Sequence, residues 1–170
     1  MKLKKWLENW DMTSLKINLK FLEMEWQPKE PDRDAAWELY IEMLTRIATQ
    51  HLQPDHGDEK TALDSIHALF PLTREIIKRH GRDCSELTKI AILVLNQVVR
   101  PFTAKWHRES LSGAFKKKLK CSQFRRELSD LQKQLRQYTR MLAAMAGVED
   151  LTQLEQSARE DGNTKNDLTR

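Results

Sequence analysis

Apolar residues recur along this chain mostly at helical spacing. The clearest run is Phe124, Leu128, Leu131, Leu135, Tyr138, Leu142 and Met145, spaced 4, 3, 4, 3, 4 and 3. Such a heptad stripe sets one face of a long helix against a core. It predicts a helix over 121–146, with Gly147 as its stop. The flanking Arg125, Glu127, Gln132, Gln134, Thr139 and Met141 are not the dense charge ladder of a two-stranded coil. The stripe therefore reads as core of its own chain.

Three further helices follow from the same pattern. Residues 34–50 carry apolar groups over most of a helical circumference, from Ala35 and Trp37 to Ile47 and Ala48. Asp32 or Asp34 caps this helix. Residues 59–80 form an apolar face through Leu63, Ile66, Phe70 and Ile77, with Pro71 predicting a kink or break near Phe70. Residues 85–108 form the most apolar element, which Pro101 kinks or ends. HLQPDHGD (51–58) reads as a loop, Ser110–Lys120 as a basic loop, and Thr152 with Glu155 as the capping box of a short last helix.

The N-terminal third is less regular. Leu3, Trp6, Leu7 and Trp10 share a helical face beside Lys2, Lys4 and Lys5, suited to docking on the domain or to lying on a membrane. Residues 14–26 alternate like a strand, yet Leu15, Leu19, Leu22 and Trp26 also fit a helix. No second strand is evident to pair with them, so helix is favoured, with an extended arm as the alternative. Pro28 and Pro31 mark a linker.

The expected fold is all-α: an antiparallel four-helix bundle with short accessory N- and C-terminal helices and, in the alternative, an extended N-terminal arm. The expected organisation is an amphipathic arm over 1–31, a helical domain over 32–158 and a disordered tail over 159–170. Composition agrees. The 170 residues hold five glycines and five prolines, about half the average usage of roughly 12%. A many-stranded sandwich or barrel would need more turns. The longest apolar run, Ile90–Leu95, is six residues, against the ~20 of a membrane span. No signal-peptide pattern follows the basic start, and Cys84 and Cys121 stand far apart without framework spacing. These point to a cytoplasmic protein.

Charge changes the picture. The chain carries a net +4, but Arg100–Arg126 alone holds nine basic residues against one acid, Glu109. That stretch is +8 and the remainder −4. Its cations are Arg100, Lys105, Arg108, Lys116, Lys117, Lys118, Lys120, Arg125 and Arg126. With Trp106, Phe115 and Phe124 interleaved, they form a candidate nucleic-acid or anion-binding site, since phosphates take mobile cations and bases take aromatic platforms.

Catalytic chemistry has little support. There is no phosphate-cradling glycine loop, no HExxH and no GxSxG. Glu38, Glu42, Asp64 and His67 make half of a bundle metal constellation, without its second Glu-x-x-His. His51, Asp55 and His56 share a loop, His107 lies in the basic stretch, and Cys84 falls near a helix start. None has a partner at a telling spacing. The expectation is a non-catalytic interaction module, an adaptor or small regulatory subunit, with no metal and no cofactor. Five tryptophans, three in the first 26 residues, make Trp6, Trp10 and Trp26 the expected contact with another protein or a second copy. Nucleic acid through the basic stretch and an anionic membrane surface are the alternative partners.

Overall fold

A computed structural model describes residues 1–17, 19–53, 55–152 and 154. The fold is all-α. The helices are α1 (Leu3–Asn9), α2 (Leu19–Leu22), α3 (Glu30–Leu44), α4 (Glu59–His67), α5 (Leu69–His80), α6 (Ser85–Val94), α7 (Arg100–Leu111) and α8 (Lys118–Ala146). Two of the expected core helices are interrupted. Both interruptions have a proline as their cause. Pro71 has no N–H for the carbonyl one turn back, and its ring crowds that carbonyl. The helix stops at His67 and restarts as α5 after Ala68. Pro101 is met differently: a π-helical turn over Leu95–Val99 joins α6 to α7, and Pro101 sits in the first turn of α7, where a missing N–H is harmless.

The 29-residue α8 is the spine, about 44 Å long at the usual rise. Its heptad stripe is buried, from Phe124 to Met145. It packs chiefly along α3, which also meets α5 and α6, while α4 packs on α7. Gly147 ends α8 in the left-handed conformation, φ 73°.

Helix α3 begins before residue 34, at Glu30, because Pro31 is tolerated in a first turn. Asp32 therefore lies inside the helix and caps it from the third helical position, not from the N-cap itself. Its Oδ2 accepts from Lys29 N at 2.9 Å, back across the first turn. Its Oδ1 accepts from Glu86 N and Leu87 N at 2.8 and 3.0 Å. One fully buried carboxylate thus caps its own helix and α6 as well. Helix α3 also ends early, at Leu44. Its last carbonyls are taken by side chains of the following segment: Thr49 Oγ1 donates to Met43 O at 2.8 Å, and Gln50 Nε2 to Leu44 O at 2.9 Å. Buried Gln132 of α8 then donates to Ile47 O and Gln50 O, both at 2.7 Å.

The N-terminal arm is folded onto the domain. Among the described residues it contains no strand, only an isolated antiparallel bridge between Lys2 and Glu25. Gln97 in the π turn holds it through a paired clasp, accepting from Lys16 N at 2.7 Å and donating to Lys16 O at 2.8 Å. Glu155 of the expected capping box, and the expected tail at 159–170, lie outside the described residues.

Candidate functional site

The α7–α8 corner contains the middle of the basic stretch. Its turn depends on Gly113, at φ 75°, and the loop is shorter than the sequence suggests. A 3-10 turn covers Ala114–Lys116 and α8 starts at Lys118. Phe115 anchors the turn against Trp106 and Phe124, at ring-centroid distances of 5.9 and 5.2 Å. Trp106 and Phe124 are fully buried. The three aromatics thus form a closed cluster, not a platform on which bases stack.

Eight of the nine cations divide into two sets; the ninth, Arg100, lines a cleft between α4, α5 and α7. Lys105 pairs with Glu127 at 2.6 Å, Lys120 with Glu109 at 3.0 Å, and Arg125 with Glu59 at 2.6 Å. Arg125 also donates to Gln53 O and Gly57 O, fastening the loop before α4. Lys105, Lys120 and Arg125, counted by the sequence reading among the candidate anion-binding cations, are thus each engaged by an acid of the same chain. Glu127 receives Lys105, Gln123 Nε2 and Trp106 Nε1 together. Burial alone would raise its carboxyl; these hydrogen bonds outweigh it and hold Glu127 below the ordinary carboxylate range.

Arg108, Lys116, Lys117, Lys118 and Arg126 are exposed and have no ion-pair partner among the described residues. Beside them stand two leucines almost wholly in water, Leu111 at 91% and Leu119 at 86% exposed. The first turn of α8 carries no acid to offset its dipole. The corner therefore combines uncompensated positive charge with bare apolar side chains.

A second feature was not legible in the sequence. A cleft of about 280 Å³ opens between α4, α5 and α7, lined by His67, Phe70, Arg74, Arg100, Thr103 and His107. The His67 and His107 rings meet edge to face at 4.8 Å. Burial first, and the charge of His67 second, push the His107 imidazole below its ordinary value. Arg100, Ala104, His107 and Leu111 are spaced 4, 3 and 4 along α7, the one sequence signal that would have aligned this cleft with the corner.

The three tryptophans expected at a partner contact lie against the core. Trp6 and Trp26 are 7% and 4% exposed, with ring centroids 4.5 Å apart. Trp10 is half-buried against the same core. The docking reading of this segment is the one observed. The exposed tryptophan is Trp37 on α3, 45% exposed, beside Ile41 in a groove against α5 rimmed by Glu38, Glu42 and Glu75.

Among the described residues no group of three His, Cys, Asp or Glu is placed to hold a metal. Glu38 engages Arg79 and His80, Glu42 engages Arg46, and Asp64 engages Lys60. Cys84 is fully buried, with Sγ 3.1 Å from Gly81 O. No described helix is long and apolar enough to cross a membrane. Comparison with protein-family models, curated proteins and solved structures finds no match.

Proposed function

We propose that this protein is a non-catalytic helical interaction module that sets its α7–α8 corner on an anionic membrane surface. The observation that carries this reading is the exposure of Leu111 and Leu119 beside Lys116–Lys118. A soluble corner gains nothing from two bare leucines. At a membrane each recovers up to roughly 1.5–3 kcal/mol when its side chain leaves water. Each nearby cation adds about 1 kcal/mol at an anionic leaflet. Neither signal holds a protein to a membrane by itself, but the two together do. Nucleic acid uses the same cations, but a single strand also takes aromatic platforms for its unstacked bases, and here Trp106 and Phe124 are buried. A contact with another protein or a second copy would use the Trp37–Ile41 groove, since Trp6 and Trp26 are committed to the core.

Co-sedimentation with vesicles tests the reading. The protein should pellet with phosphatidylserine-containing vesicles and not with phosphatidylcholine alone. Leu111→Ser with Leu119→Ser, and separately Lys116, Lys117 and Lys118→Gln, should each weaken binding about tenfold or more, with unfolding midpoints unchanged. No sedimentation with anionic vesicles would refute it. So would full binding by the double leucine variant, which would leave a purely electrostatic contact.

A further inference from the structure

We infer that the cleft between α4, α5 and α7 is a binding site for a phosphate monoester, a chemistry shared by small phosphorylated solutes and the phosphatidate head group. The inference does not depend on membrane docking by the corner. It rests on four cationic or protonatable side chains, His67, Arg74, Arg100 and His107, lining one cavity with no acid among its walls.

The arrangement of Arg100 is the strongest point. Its guanidinium is oriented by a neutral group, with Nε and Nη2 donating to Asn96 Oδ1 at 3.1 and 3.0 Å. Its other support is the Phe70 ring, 4.8 Å from Cζ. The side chain is thus preorganised while its charge stays uncompensated. Arg74, across the cleft on α5, has no ion-pair partner among the described residues. A guanidinium held as Arg100 is suits bidentate contact with phosphate oxygens, and Arg74 adds a second unpaired charge.

The histidines complete the set. Asp64 approaches His107 Nε2 only to 3.9 Å, and its carboxylate is engaged by Lys60 at 2.5 and 2.6 Å. The groups facing His107 are therefore His67, Asp64 and Lys60 from α4, Arg74 from α5 and Arg100 on its own helix. An anion beside the His107 ring would stabilise the proton that burial and the neighbouring His67 disfavour. The π turn at Leu95–Val99 contributes by geometry. It inserts one residue of rotation, about 100°, before α7, and so sets which face of α7 turns to the cleft. Thr103 has its hydroxyl committed to Val99 O and Arg100 O, so it shapes the wall and does not bind. At about 280 Å³ the cleft lies just below the ~300–1,000 Å³ of drug-sized pockets, which fits a phosphate with a small substituent.

The test follows the Cε1–H resonances of His67 and His107 in the full chain, assigned by His67→Gln and His107→Gln. Titrants are inorganic phosphate, glycerol phosphate and, as the control, chloride at equal ionic strength. The expected result is a saturable shift of both resonances with phosphate and a rise in both titration midpoints. Arg74→Gln and Arg100→Gln should each raise Kd about tenfold or more. Arg126→Gln, an unpaired arginine outside the cleft, should not change it. Saturation by glycerol phosphate assigns a free ester. A shift seen only with phosphatidate vesicles, and not with phosphatidylserine vesicles, assigns the lipid head group. Identical titrations in chloride and in every phosphate probe would overturn the inference, as would an equal loss in Arg126→Gln.

Discussion

Replacing Asp32 by alanine removes the acceptor of three backbone amides at once. The carboxylate is fully buried between α3 and α6, and it takes Lys29 N with one oxygen and Glu86 N and Leu87 N with the other. A lost helix cap costs ~1 kcal/mol. A hydrogen bond to a charged group is worth about 1.5–3 kcal/mol. Water can reach the exposed Lys29 segment, so that amide recovers part of its loss. The Leu87 amide is buried and recovers little. The expected cost is about 3–5 kcal/mol, a large part of the 5–15 kcal/mol typical of a folded domain. For 170 residues, each kcal/mol moves Tm by about 2–4 °C, so a fall of roughly 6–20 °C is expected. Asp32→Asn keeps one acceptor oxygen and should lose less, about 1–2 kcal/mol. Asp34→Ala, two residues away and exposed, should stay within ~0.5 kcal/mol. Urea unfolding followed by circular dichroism reads the totals, and native-state hydrogen exchange at Glu86 and Leu87 reads the cap itself. A loss under about 1 kcal/mol in Asp32→Ala, or unchanged protection at Leu87, would refute the double-cap reasoning.

Two more predictions concern groups held away from their ordinary ionisation. Glu127 titrates lower in the folded protein than in the unfolded chain, so the unfolded chain binds more protons on acidification. Its stabilisation is present above the unfolded carboxylate value of ~4.3 and is lost as pH falls through the folded value; Glu127→Gln should flatten the acid limb of a plot of urea midpoint against pH. Tyr138 carries a buried hydroxyl with no hydrogen-bond partner among the described residues, and its pKa is raised by burial. Tyr138→Phe should be neutral or stabilising, by up to ~1–2 kcal/mol, and a loss larger than about 1 kcal/mol in thermal unfolding would show that the hydroxyl is bonded after all.

The parts legible in the sequence are those set by neighbours along the chain. The α8 stripe needs only its own period, and every member of it is buried. Pro71 and Pro101 break or divert their helices through clashes within one turn, so their effect is written locally. The density of cations between Arg100 and Arg126 is likewise a property of the chain itself.

What the tertiary structure decided are pairings across long separations. Asp32 has the residue type of a cap, but its reach to Glu86 and Leu87 exists only because α3 lies against the start of α6. The end of α3 at Leu44 depends in part on Gln132, more than 80 residues on, which holds the segment that follows. Three of the nine cations are paired with acids on other helices, and composition cannot say which. His67 and His107, forty residues apart in sequence, meet because α4 packs on α7. Helical period and proline chemistry act within about one turn, so sequence alone determines that the helices form and where prolines divide them, but not where α3 ends. Charge compensation and clefts arise between helices, where packing selects which side chains face each other and which are left to water.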